Sequence, residues 1–321
     1  MTPPICSACS AQNRENAKFC RLCGTRLPIQ NILSETNQTK SESQTLMNDV
    51  SVEVETKKEV SKIEEIDFVG LEEIRSRLQM FINAQIIKQK QKKIGMSVSE
   101  NTNILVFRGE TGTGKSLVAE YFISQLIKSN CLFSNAVVRT TAHKLQRQYQ
   151  TDTEISKFLC EQKLGVFLID EVHNDKTYLY ELLLGLTEKK LDTICILLGL
   201  KQNLEEFFLE KSELTDLVTF FDFPAVNDEN LVKILEMKLF QRGFCYSDEV
   251  QKSFLLSVQE SKHHPTNQYK NGWLVEKDIL YKILENQASR LSKKAFITNQ
   301  DLKQIEIDNL TGANNMKAFT N

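Results

Sequence analysis

Eight consecutive residues, Gly109-Glu-Thr-Gly-Thr-Gly-Lys115-Ser116, join three glycines, a lysine and a hydroxyl in the spacing G-x4-G-K-S. That order suits a nucleotide's phosphates. Gly109, Glu110, Thr111, Gly112, Thr113 and Gly114 can curl their backbone N–H groups round an anion, and Lys115 reaches the β- and γ-phosphates. Ser116 ligates Mg²⁺, and Leu117, also expected at the nucleotide, begins a helical pattern whose N-terminus adds its positive dipole end. A second pair, Asp170-Glu171, closes an apolar run. Asp170 suits the Mg²⁺ shell, commonly through water, and Glu171 is positioned to polarise the water that attacks a γ-phosphate. An acidic pair alone also describes an exposed strand end; the phosphate loop is what gives this one a reaction. Lys115 and Glu171 are therefore the candidate catalytic residues.

A third cluster is Cys6, Cys9, Cys20 and Cys23, in the pattern Cys-x2-Cys, ten residues, Cys-x2-Cys. Two tight turns can each present a thiolate pair to one tetrahedral Zn²⁺. Four soft ligands close the shell, so the metal is structural, holding a segment too short and too polar to fold by burial alone. Redox-active or disulfide-linked cysteines would need a thioredoxin-like setting or an oxidising compartment. The other four cysteines, Cys131, Cys160, Cys195 and Cys245, are scattered singly. The stretch CSACSAQNRENAKFCRLCGTRLP resembles the short zinc-ribbon family found at the ends of many prokaryotic proteins. Its Arg14, Lys18, Arg21 and Arg26 against Glu15 leave about +1 once four thiolates bind Zn²⁺. This supports nucleic acid only weakly, and protein docking is at least as well supported because no aromatics interleave the basic residues.

The elements that must position these groups follow from the flanking patterns. Asn103 to Arg108 is a β-branched and apolar run leading into the phosphate loop, and LVAEYFISQLI after it has helical spacing. Leu164 to Ile169 is a second buried strand, whose carboxyl end delivers Asp170 and Glu171 to the side where ligands bind. From Asn227 onward NLVKILEMKLFQRGF, VQKSFLLSVQE and ILYKILENQASRL place apolar residues at three- and four-residue steps, the pattern of a helical bundle. Pro28 to Lys62 is rich in Ser, Thr, Gln, Asn, Glu and Lys and reads as a solvated tether. Within it the alternating patch Val50 to Val54 is either a short strand or part of the tether.

The chain has 321 residues, a net charge of −2, 41% apolar and 26% charged residues, the composition of a folded chain of about two domains. No chain-wide basic field argues for nucleic acid. Its longest apolar runs are far below the ~18 residues needed to span a bilayer, and MTPPICSACS lacks a signal profile, so a cytoplasmic protein without membrane contact is expected.

Asp67-Phe-Val69-Gly70-Leu-Glu-Glu-Ile, the phosphate loop, Asp170-Glu171, the strand TICILLGL and Phe223-Pro224 fall in an order that resembles the AAA+ ATPases. Within them it resembles the branch of stage V sporulation protein K and the red-type rubisco activase CbbX. The resemblance covers about Ile63 to Asp308. It implies an α/β P-loop NTPase fold with a parallel sheet flanked by helices and a C-terminal helical lid, preceded by the small zinc ribbon. The expected division is 1–27 zinc ribbon, 28–62 linker, 63–225 nucleotide-binding α/β subdomain, 226–310 lid and 311–321 tail. It also implies ATP with Mg²⁺ as ligand, Val69 and Gly70 beside the adenine, and an ATP-dependent homo- or hetero-oligomer acting on a protein substrate or adaptor. In this branch an aromatic loop residue projects into the central channel of a ring. Tyr149, in Leu145-Gln-Arg-Gln-Tyr149-Gln, stands at that place, although both family glycines are absent and a helix-flanking surface tyrosine fits as well.

Three features depart from the family. Relatives carry an arginine just before the "xFP" segment, a finger for the neighbouring subunit's γ-phosphate; here there is none between Arg147 and Arg242. Efficient turnover is then expected to need a finger-bearing partner or a repositioned Arg147 or Arg242. The lid's sensor arginine is also missing, with only Lys277 of Gly272-Trp-Leu-Val-Glu-Lys277 near its place. Lys201, Gln202 and Asn203 compete for the first sensor. His263-His264-Pro265 is expected in an interhelical loop rather than at a metal, and Trp273 in packing. The function expected is an ATPase that remodels or threads a protein recruited through the ribbon. The alternatives are a weakly hydrolysing nucleotide-dependent switch and a nucleic-acid-associated loader.

Overall fold

Residues 54–55, 68–97, 103–148, 154, 157–158, 161, 163–172, 176–188, 192–267 and 270–311 are described by the computed structural model of the chain. Cys6, Cys9, Cys20, Cys23 and Tyr149 lie outside them. The chain divides into Met1–Asp49 and Val50–Asn321, and all described residues belong to the second unit.

The apolar runs become strands of one six-stranded sheet. These are β1 (Val54–Glu55), β2 (Ile104–Gly109), β3 (Val137–Thr141), β4 (Val166–Val172), β5 (Ile194–Gly199) and β6 (Thr219–Phe223), in the order β1-β3-β4-β5-β2-β6. The pairings from β3 to β6 are all parallel, while β1 lies antiparallel to β3 with Val54 opposite Val138. Of the two readings of Val50 to Val54, a strand therefore forms at Val54–Glu55.

Parallel strands need covering on both faces, which is why β2, β4 and β5 are nearly continuous apolar runs. On one face Leu105 and Phe107 of β2 pack against Ile74, Leu78 and Ile82 of α1 (Glu72–Lys93) and Val118, Phe122 and Leu126 of α2 (Lys115–Lys128). On the other face Val106 packs among Leu145 of α3 (Ala142–Gln148), Leu182 and Leu183 of α4 (Lys176–Glu188) and Phe207 of α5 (Lys201–Glu210). The period of two along β2 thus supplies both cores. A 3-10 turn, Ser212–Leu217, joins α5 to β6.

The lid starts at α6 (Asp228–Gln241), where the Asn227 side chain accepts a hydrogen bond from the backbone N–H of Asn230 at 2.8 Å. It continues through α7 (Asp248–His263), α8 (Gly272–Leu274), a π-helical turn Val275–Ile279, α9 (Leu280–Leu291), α10 (Asn299–Lys303) and α11 (Ile307–Thr311). His263 ends α7, and His264 Nδ1 lies 2.8 Å from the Thr266 hydroxyl. Leu231, Leu235, Phe254, Val275 and Ile283 build a core separate from those of the sheet. Phe254 is fully buried and meets Tyr246 edge-on at 5.0 Å. Phe254→Ala is expected to destabilise the lid by about 3–5 kcal/mol, read as a lowered denaturant midpoint with the sheet's transition little changed. Among the described residues no helix is long and apolar enough to cross a membrane.

Candidate functional site

The carboxyl ends of β2 and β4 are adjacent to the same cleft, because β5 alone separates them in the sheet. The loop from Gly109 to Gly114 leaves β2 there and enters α2, whose cap is Gly114. Ser116, in the first turn, donates its hydroxyl to Asp170 Oδ2 at 3.0 Å. The other oxygen, Asp170 Oδ1, accepts from the backbone N–H of Glu171 at 2.7 Å. Lys115 Nζ donates to the carbonyls of Gly109 and Glu110 at 2.8 and 2.7 Å, and Thr113 Oγ1 donates to Glu110 O at 2.8 Å. Burial draws the Lys115 pKa below the usual lysine value, opposed by the charges of Asp170 and Glu110. Its ammonium stays inside the loop, held by carbonyl oxygens where phosphate oxygens would be stronger partners.

Glu171 is exposed and has φ +54°, in the left-handed region that a side chain with a Cβ enters at a cost of order 1–3 kcal/mol. The pairing of β4 with β5 shifts register between Ile169 and Val172 at the same point. The irregularity takes Glu171 out of the regular pairing beside Asp170.

The lid closes the cleft from the other side. Asn271 Nδ2 donates to Thr111 O at 2.9 Å, and Asn271 Oδ1 accepts from Val226 N–H, also at 2.9 Å. Gly272 N–H donates to Gly112 O at 2.9 Å. One lid turn is thereby tied both to the phosphate loop and to the segment between β6 and α6. Gly112 makes this possible: its φ is +76°, and a Cβ there would stand 2.2 Å from Lys270 O. Gly112→Ala is expected to push the lid turn off the loop and weaken Mg-ATP binding at least tenfold, measured by calorimetry, with the fold of each subdomain retained.

The cleft has a volume of about 740 Å³. Its phosphate end is lined by Thr111 to Val118, Asp170 and Glu171, and Val69, Gly70, Leu71, Val226, Ile234 and Met237 line it elsewhere. The lid adds Asn230, Lys238, Trp273 and Glu276. Sequence reasoning missed Asn230, Lys238, Asn271 and Glu276, which nothing in their local patterns marks. Two expectations change. Trp273, expected in packing, lines the cleft and is 45% exposed. Lys277, expected near the lid sensor, lies 4.3 Å over the Trp273 ring, while Lys238 enters the cleft wall and pairs with Glu276 at 2.6 Å. Lys201, Gln202 and Asn203 form the first turn of α5 after Leu200, which does line the cleft.

The arginines near β6 are committed to it. Arg108 pairs with both oxygens of Asp222 at 2.7 and 3.2 Å, and that hydrogen bonding, first among several causes, lowers the Asp222 pKa. Arg77 donates to Phe220 O and lies over the Phe221 ring. Arg147, in the last turn of α3, and Arg242, capping α6, are exposed.

The group of residues fits Mg-ATP. A hydroxyl and a carboxylate 3.0 Å apart can share one Mg²⁺ shell, and the inward lysine matches a phosphate. When bound, Mg²⁺ would neutralise charge on the β- and γ-phosphate oxygens, held by Ser116 and Asp170.

Known proteins agree with this geometry. The family described as "AAA lid domain" matches residues 227–318, and the family described as "zinc-ribbon domain" matches residues 5–27. "Protein CfxQ homolog" of Pyropia yezoensis is 24% identical over 287 residues, covering 83% of this chain and 94% of its own. "Stage V sporulation protein K" of Bacillus subtilis (strain 168) is 24% identical over 272 residues, covering 80% of this chain and 82% of its own. "Ribulose bisphosphate carboxylase/oxygenase activase, chloroplastic" of Cyanidioschyzon merolae is 24% identical over 234 residues, covering 67% and 80%. The crystal structure of the FIGL-1 AAA domain superposes with a TM-score of 0.52 at 12% identity, covering 81% of this chain and 84% of that one. A parallel sheet with a phosphate loop at its carboxyl end, a helical lid over that loop and these relatives make the chain a homologue of the CfxQ and stage V sporulation protein K proteins, with the fold of an AAA+ ATPase.

Proposed function

We propose that this chain binds Mg-ATP in the cleft between sheet and lid and uses its nucleotide state to remodel a protein partner. The observation that carries this reading is the convergence of Lys115, Ser116, Asp170 and Glu171, from two strands far apart in sequence, on one floor under the lid. Glu171 acts on the attacking water, Lys115 on the β- and γ-phosphates, and Val69 and Gly70 flank the base. A protein substrate is supported by the relative named as an activase of an enzyme. Tyr149 is proposed to grip that substrate in an ATP-dependent oligomer. The segment holding Cys6, Cys9, Cys20 and Cys23 recruits the partner and binds one Zn²⁺, in the cytoplasm, where thiols remain reduced. Native mass spectrometry should find one zinc per chain, lost when Cys6 and Cys9 are replaced by Ser.

A second reading, a switch that hydrolyses slowly and acts through assembly, is favoured by one observation. No arginine occurs between Arg147 and Arg242, and Arg77 and Arg108 are bonded to β6. Steady-state ATP hydrolysis, recorded together with molecular mass with and without Mg-ATP, separates the two. Robust turnover with nucleotide-driven assembly supports the motor. Tight binding and assembly with negligible turnover supports the switch, and absence of binding overturns both.

A further inference from the structure

Away from the phosphate loop Val69, Val226, Ile234 and Met237 line the cleft together with the Lys238–Glu276 ion pair and two asparagines, Asn227 and Asn230. Asn230 stands in the first turn of α6 with its backbone N–H already bonded to Asn227. Its side-chain amide is half-buried and has no hydrogen-bond partner among the described residues. The neighbouring Asn227 differs, since its oxygen caps the helix. Across from Asn230 is Gly70 at φ +72°, where a Cβ would stand only 2.2 Å from Asn230 Nδ2. The amide nitrogen therefore fits against bare backbone that any side chain at position 70 would displace. Its oxygen lies farther from that point, 3.8 Å, so the two ends of the amide are not equivalent in the cleft.

Aliphatic side chains beside one unpartnered amide have the chemistry of a purine site. A carboxamide offers a donor and an acceptor side by side, and adenine's edge offers the complementary ring nitrogen and exocyclic amine. Guanine presents the reverse order, an acceptor at O6 with donors at N1 and N2. Leaving this half-buried amide facing the wrong edge is where discrimination arises. Building on the nucleotide site proposed above, we infer that Asn230, seated against Gly70, is the residue that selects adenine over guanine in this cleft.

The test is calorimetric binding of Mg-ATP, Mg-GTP and magnesium tripolyphosphate to the full chain and to Asn230→Ala and Asn230→Asp. Both variants should fold, because position 230 lies in the first helical turn, where an acid is favourable. The wild type should prefer ATP to GTP by about tenfold or more. Asn230→Ala should bring the two affinities together, and Asn230→Asp should favour GTP, since a carboxylate accepts from N1 and N2 but cannot donate to adenine. Tripolyphosphate binding should not change in either variant. An unchanged ATP-to-GTP ratio in Asn230→Ala, with ATP still bound, overturns the role of Asn230 and leaves the nucleotide site standing. Loss of tripolyphosphate binding together with ATP in Asn230→Ala would make the residue structural and overturn it as well. A wild-type chain that binds none of the three ligands overturns the site and the base selection with it.

Discussion

Glu171→Gln is expected to keep Mg-ATP bound at nearly the wild-type affinity while cutting hydrolysis by about 10²–10⁴-fold, the usual contribution of a positioned base. The reason is the division of work on the cleft floor. Ser116 and Asp170 face each other at 3.0 Å and make no use of the Glu171 carboxylate, so nothing that would hold the nucleotide is removed. Asp170 takes only the backbone N–H of Glu171, which glutamine retains. Gln also preserves the size of the side chain at a backbone conformation that is already costly, so the loop should not rearrange. Phosphate release and calorimetric affinity, measured on the same preparation, check this. Equal losses in both would place Glu171 in binding and remove it from the reaction. Lys115→Ala supplies the contrast: the inward ammonium is the cation held closest to the loop's carbonyls, and its loss should abolish binding itself.

Thr215→Arg should produce the largest gain, raising turnover of the assembled chain on the order of 10³-fold. Thr215 is an exposed residue of the 3-10 turn Ser212–Leu217, directly before β6, the stretch in which the sequence resemblance implies a finger. Leu214 anchors this turn in the core below it, so an arginine at 215 projects from a fixed base. A lysine at the same position should recover much less, because it cannot present a planar fork to phosphate oxygens. The rate should rise with protein concentration as subunits assemble, while the affinity of a single site stays the same. An assembled Thr215→Arg chain that hydrolyses no faster would show that this turn does not face a neighbour's cleft.

How much could be read in advance depended on where each group sits along the chain. The phosphate loop was legible because an anion cradle needs its glycines, lysine and hydroxyl consecutively, and Asp170-Glu171 because the end of a buried strand is a local signal. The sheet followed from runs such as ICILLG, buried along its whole length in β5. The lid's share of the cleft was not legible. Asn271 reaches Thr111 across 160 positions, and Lys238 meets Glu276 only because α6 packs beside the π-helical turn. Lys277 shows the limit well. It lies next in sequence to Glu276, yet its ammonium stacks on Trp273 instead of pairing in the cleft wall. A one-residue step turns a side chain by about 100° on an α-helix and by less on a π-helical turn, which spacing along a sequence fixes only once the helix's packing face is known.

Trp273 is the sole tryptophan of the chain, and it lines the cleft on the very turn that ties the lid to the phosphate loop. Excited at the red edge where tyrosine is silent, all of the protein's emission comes from that one indole. Its colour and intensity then report hydration and the nearby Lys277 charge at a single place, so a nucleotide entering the proposed site should change the native emission of the molecule. Stopped-flow traces of unlabelled protein should therefore time a change at this turn against any release of phosphate, giving their order without a dye or an engineered cysteine.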